Sequence, residues 1–303
     1  MGYETRFTTM KQFLELYNNR LVNFDEFQQN YLNSGNLIHD FSLGALFAYH
    51  KLEQLIENEK CFLFKNMILI EGKDKIEIID YDTQKDAYLD DFFDFELLKP
   101  CRTLLHSSKL LPHIKHKAKT EEVVYDLVTS QERQGRDHKS FYHAVNRPKS
   151  IIQRKDLGIE IEELTPDSET WIELHKEWVN YKLAQPGTFR IAFPTARYKR
   201  CLNLDLIPTY KKAIFIKGQP YGFIVFSLEG KNAFELAFVS LYFKPEFKII
   251  SGLNQYLFSY FLQELQKLGI EKVNSGFVLN KKLAVFKKTS QRSKPIIRYT
   301  YEL

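Results

Sequence analysis

Residues 212–243 read "KAIFIKGQPYGFIVFSLEGKNAFELAFVSLYF", three apolar runs rich in Ile, Val and Phe. Gly218-Gln219-Pro220 parts the first run from the second, and the second closes on Gly230. Runs of this kind with turn residues between them are strands of an antiparallel meander. The flanking segments have the other period. Before the meander, "SETWIELHKEWVNYKLA" places Trp171, Leu174, Trp178 and Tyr181 at three- and four-residue spacing, and Thr165-Pro166-Asp167 is a helix-start signal. After it, "SGLNQYLFSYFLQELQKLG" carries the core stripe Leu253, Leu257, Phe261, Leu265 and Leu268. "IEIEEL" upstream, "IEKVNSGF" and the closing "PIIRYTYEL" read as further strands, the second breaking at Asn274-Ser275-Gly276.

The first half repeats this layout more loosely. "CFLFKNMILIEGKDKIEIIDYD" reads as three strands with an Asn turn and a Gly-Lys-Asp turn, again an antiparallel meander. Helices are expected over Tyr3 to Tyr31, over "LGALFAYHKLEQLIEN", over Leu104 to His116 around Pro112, and over Glu121 to Glu132. The fold class is therefore α+β, a mixed sheet with flanking helices. The order helix, three antiparallel strands, helix, strand, small helix, strand resembles the GNAT (acyl-CoA N-acyltransferase-like) fold. Two tandem GNAT-like domains are expected, at 1–140, with an extra amino-terminal helix, and at 141–303, the latter catalytic.

Length and composition narrow the class. With 303 residues, 44% hydrophobic content, 25 Phe and 17 Tyr, the chain can bury a large core. It has no run of about 18 apolar residues, which excludes an ordinary transmembrane helix. The start, "MGYETRFTTMKQFLELY", lacks a signal-peptide core and has Arg6 where myristoylation favours Ser or Thr. Cys61, Cys101 and Cys201 are widely spaced, fitting a reducing cytoplasm rather than disulfides or structural zinc. No metal is expected, since the eight histidines lack ligand spacing and His113 and His116 have no third ligand nearby. The +5 net charge is uneven: "DAYLDDFFDFELL" is acidic, whereas Lys267 to Arg298 is dominated by Lys and Arg. That fits either a solvated surface or a polyanionic partner.

Three segments carry a more specific likeness: "VVYDLVTSQERQGRDHKSFYHAVNRPKS", "GIEKVNSGF" and "LAVFKK". They resemble the carboxy-terminal catalytic domain of phosphatidylglycerol lysyltransferases and, more distantly, the Fem-type aminoacyltransferases. The resemblance implies transfer of an acyl group, often aminoacyl from its tRNA ester, to an amine or hydroxyl. It also implies that Lys287 matches the family lysine near the donor, with Lys281, Lys282 and Lys288 beside a phosphate or RNA backbone. "HAVNRP" departs from the family's basic run.

Each candidate has a bland alternative. In the acetyltransferase fold the fourth strand splays from the fifth, exposing N–H groups that polarise the donor carbonyl. Here Phe238 to Leu241, including Ser240, fill that position. Glu235 is either a general base or a residue of an outward strand face. Asn274 and Gly276 either approach the donor or make a turn, and Lys287, at the hydrophilic edge of a short helix, is either catalytic or solvated. Gly252 alone offers a poor match to a coenzyme A pyrophosphate loop. Arg190 lies in the loop "PGTFRIAFPTARYKR" with Arg197, Lys199 and Arg200, where the fold closes over the acceptor. Tyr125, Arg136, Lys139, Tyr142 and Arg147 form a second basic-aromatic group that either contacts nucleic acid or staples domains.

The first expectation is a cytoplasmic acyltransferase with no tightly bound cofactor and no membrane span, using aminoacyl-tRNA in direct transfer. The alternatives are an acyl-CoA-dependent N-acyltransferase and a non-catalytic nucleic-acid or protein-binding module on a GNAT scaffold.

Overall fold

A computed structural model describes residues 28–29, 31–58, 60–64, 67–72, 75–81, 102–111, 114–128, 146–164, 169–184, 195–246, 251–278, 283, 286–287 and 293–302. The chain divides into two compact units, Met1–Phe41 with Lys51–Glu121 and Ile296–Leu303, and Ser42–His50 with Glu122–Pro295. The units are thus interleaved in sequence. The expected boundary at 140/141 lies outside the described residues, as does most of the expected amino-terminal helix.

In the first unit, β1 (Cys61–Phe64), β2 (Met67–Glu71) and β3 (Lys75–Asp80) form the expected antiparallel meander. β3 then pairs in parallel with β4 (Arg102–Ser107), and β4 pairs antiparallel with β11 (Ser293–Glu302). Among its described residues, the helix expected from Leu104 to His116 is therefore strand β4 to Ser107 and non-helical chain after it. Glu121 to Glu132 is corrected likewise: β5 (His116–Asp126) runs through its described part. A short apolar run such as "VVY" satisfies either period, and sheet pairing decides it. The helix expected over 43–58 is two helices, α1 (Leu43–His50) and α2 (Leu52–Glu57). They part at Lys51, which has φ 54°, with no Gly or Pro to announce the break.

The second unit repeats the pairing scheme. β6 (Ile159–Glu163), β7 (Thr209–Ile216), β8 (Gln219–Glu229) and β9 (Asn232–Ser240) are antiparallel in that order. β9 pairs in parallel with β10 (Lys272–Phe277), which pairs antiparallel with β5 from Glu122 onward. The β7–β8 turn sits at Lys217-Gly218, so Gln219 and Pro220 already belong to β8. Among the described residues, α1 and four further helices complete the unit: α3 (Arg147–Lys155), α4 (Glu169–Leu183), α5 (Thr195–Leu202) and α6 (Leu253–Lys267). Helix α5 replaces a stretch expected to be loop, so Arg197, Lys199 and Arg200 stand on a helix.

Helices α4 and α6 cover opposite faces of the sheet. Trp171 meets Phe215 and Phe223 edge-on, whereas Phe258 meets Tyr125, Phe226 and Phe238. Phe223 and Phe226 are an odd number of residues apart on one strand and so face opposite ways. The α6 stripe is buried from Leu253 to Leu265, but Leu268 is 59% exposed. The helix has ended by then: the N–H groups of Gly269 and Ile270 bond back to Gln266 and Leu265. Gly269 takes the left-handed φ of 85° that this ending requires. Among the described residues no helix is long and apolar enough to cross a membrane.

Candidate active site

The centre of the second unit is where β9 and β10 part. Their parallel register runs Lys272↔Asn232, Val273↔Ala233, Asn274↔Phe234 and ends there, although β9 continues to Ser240. Just beyond, β9 carries a bulge. Phe226 faces Glu235 and Val225 faces Ala237, so Leu236 is the extra residue. The N–H of Leu241 donates to Tyr221 O at 2.8 Å, which removes it from the expected set of free donors. Ladder N–H groups alternate sides, so Val239 also faces β8. Phe238 and Ser240 aim theirs the other way, toward the side where the β10 register has ended.

Beside this opening lies a buried polar cluster. Asn274 is 1% exposed and its amide donates to Glu122 Oε2 at 2.7 Å. Its Oδ1 accepts the N–H of Gly276 at 2.6 Å. Both residues lie inside β10 rather than past its end, at a register irregularity between Asn274 and Phe277. Gly276 adopts φ 74°, which suits glycine.

Lys287, expected at a hydrophilic edge, is only 5% exposed. Its ammonium donates to the carbonyls of Ser275, Gly276 (3.3 Å) and Phe277 (3.4 Å). Tyr125 Oη donates to the Lys287 carbonyl at 2.9 Å. Burial lowers the Lys287 pKa, and the carboxylates of Glu235 and Glu122 oppose that shift. Burial raises the Tyr125 pKa well above the usual phenol value, with Glu235 adding to it. Burial likewise raises that of Tyr198, where Glu235 contributes in the same direction. Glu235, half-buried on β9, is thus the carboxylate whose field reaches Tyr125, Tyr198 and Lys287 alike.

Of the sequence candidates, Glu235, Asn274, Gly276 and Lys287 come together here. Phe238, half-buried, sets its ring between Phe258 (5.7 Å) and Phe286 (6.2 Å), leaving its backbone at the opening. Ser240 Oγ accepts from Asn254 Nδ2 at 2.9 Å, and Tyr221 Oη donates to Asn254 Oδ1 at 2.7 Å. Gly252, at φ 87°, starts α6 with no side-chain cap. Arg147 is exposed at the start of α3. Arg190, Lys139, Lys281, Lys282 and Lys288 lie outside the described residues.

Sequence reasoning missed Glu122, Tyr49 and His175. Glu122 looked like one charge of a helix, and α5, which carries Tyr198, looked like a loop. His175 is wholly buried, stacks on Tyr198 at 3.7 Å, and makes no hydrogen bond through either ring nitrogen among the described residues. Burial depresses its pKa to about 4, so it is neutral near pH 7.

No family model and no curated protein matches the chain. Solved structures do. A conserved protein of unknown function from Bacteroides thetaiotaomicron superposes with a TM-score of 0.69 at 13% identity, over 94% of this chain and 99% of that one. FemX superposes at 0.58 with 8% identity, covering 94% and 97%. The carboxy-terminal DUF2156 domain of an Agrobacterium fabrum protein assigned as a lysylphosphatidylglycerol synthetase gives 0.54 at 13%, covering 92% of each. The expected relation to these proteins is present at the level of the fold.

Proposed function

We propose that the chain is an acyltransferase of two tandem GNAT-like units, the second carrying the chemistry. It moves an acyl or aminoacyl group from a carrier, aminoacyl-tRNA in preference to acyl-coenzyme A, to an amine or hydroxyl acceptor in the cytoplasm. The observation that carries this reading is the parting of β9 from β10 after Phe234, with the bulge at Leu236 and Glu235 beside it. The donor carbonyl accepts from the N–H groups of Phe238 and Ser240, which stabilise the oxyanion as it forms. Glu235 takes the proton of the attacking amine or hydroxyl and returns it to the leaving oxygen or sulfur as the ester or thioester bond breaks, so the carrier leaves as its free alcohol or thiol. No activated Cys or Ser is needed for this direct transfer. Asn274 and Lys287 hold β10 in its irregular path. Lys139, Lys281, Lys282, Lys288 and Arg147 are assigned to the anionic carrier, and Arg190 to the acceptor.

The start of α6 supports tRNA over coenzyme A. Its first turn holds Asn254, bonded to Ser240 and Tyr221, and Gly252 is the one glycine there. A pyrophosphate loop needs several small residues whose N–H groups point at the phosphates.

One observation favours a binding module instead: Asn274 and Lys287 already engage internal partners. Labelled aminoacyl-tRNAs and labelled acetyl-coenzyme A, offered separately with cell extract, decide among these. Label moving from tRNA to a protein or small-molecule fraction supports the first reading. Label moving only from coenzyme A replaces the donor, and no movement from either sinks acyl transfer.

A further inference from the structure

The Leu236 bulge is held from outside the sheet. A bulge turns one residue out of the ladder, and the carbonyl of Leu236 accepts from Tyr49 Oη at 2.8 Å. Tyr49 belongs to α1, a segment far away in sequence that is part of the same compact unit. The helix is fixed at both ends. At its start, Glu229 on β8 accepts the N–H groups of Leu43 (3.1 Å) and Gly44 (3.0 Å), and Ser227 Oγ donates to the same carboxylate at 2.7 Å. At its end, Arg200 Nε donates to Ala48 O at 2.7 Å. The Arg197 guanidinium lies 3.2 Å from the centroid of the Tyr49 ring. Both arginines come from α5.

From this we infer that Tyr49 is a positioning residue of the β9 opening. It acts through the Leu236 carbonyl to set both the Glu235 carboxylate and the two N–H groups that follow the bulge. The inference rests on the acyl-transfer reading for its catalytic half, while the clamp itself stands on the geometry alone. Tyr49 touches neither donor nor acceptor in this assignment. Its loss therefore lowers the rate of the chemical step without weakening donor binding.

Tyr49→Phe keeps the ring under Arg197 and removes the hydroxyl, with its bonds to the Leu236 carbonyl and to the Arg197 side chain. Two measurements on the full chain test it. Amide hydrogen exchange is expected to quicken roughly fivefold or more over residues 234–240, the loss of one hydrogen bond to that strand, with β7 unchanged as an internal control. In the transfer assay kcat is expected to fall about tenfold or more, with the donor KM within about twofold. Unchanged exchange over 234–240 overturns the clamp, whatever the activity. Faster exchange with an unchanged kcat overturns the catalytic role. If the wild-type chain transfers nothing, the acyl-transfer reading fails and takes the catalytic role with it, and exchange still decides the clamp.

Discussion

Lys287 shows how the fold itself can hold a buried cation. Its ammonium donates to three main-chain carbonyls of β10, and two carboxylates lie within its field. Lys287→Met keeps the volume and removes every donor. We expect it to cost about 3 kcal/mol, since it removes those hydrogen bonds and leaves the carboxylates uncompensated. The readout is a lower urea midpoint at constant slope. His175 makes the opposite case, a buried imidazole with no described hydrogen-bond partner and a pKa near 4. Unfolded, it titrates near pH 6.5, so between about 6.5 and 4 the unfolded chain binds the extra proton. Stability is complete above that window and falls as pH drops through it, by on the order of 3 kcal/mol in full. His175→Phe should stack on Tyr198 and flatten that slope, as read from urea midpoints between pH 7 and pH 4.5.

At the scale of elements, the sequence was most legible where period and turn residues agreed. The β7–β9 meander, α4 and α6 lie where alternating apolar runs and heptad-like stripes put them. Legibility failed where partners distant in sequence made the decision. β4 and β5 became strands through β3, β10 and β11, the last two from the far end of the chain, and α5 begins just after a Gly/Pro-rich stretch. The site was half readable for the same reason. Asn274, Gly276, Glu235 and Lys287 sit near recognisable motifs, but Glu122 and Tyr49 become part of it only through tertiary contact. Close approach leaves its own signature in glycine. A Cβ at Gly44 would meet Ser227 Oγ at 2.5 Å and Leu236 Cδ1 at 3.0 Å. Gly44→Ala should therefore push α1 off β8 and cost about 2 kcal/mol, as overpacking does, despite the better helix propensity of alanine. A rise in thermal midpoint would contradict that packing.

For the whole molecule, the interleaving of the two units has a direct consequence. The closing strand of the second unit, from Glu122, and its helix α1 come from the first half of the sequence. A fragment of residues 141–303 lacks the antiparallel partner of β10, the Glu122 acceptor of Asn274 and the Tyr49 clamp. It should show no cooperative thermal transition by circular dichroism, whereas the full chain should show one. A cooperative fragment would mean that β5 and α1 are dispensable. The central claim is that the opening at Glu235 performs acyl transfer. The most direct test is a single-turnover measurement with labelled aminoacyl-tRNA, comparing the wild-type chain with Glu235→Gln at matched thermal stability. We expect the variant to transfer label at least roughly 100-fold more slowly, as for loss of a general base. Equal rates, or no transfer by the wild-type chain, would contradict the account.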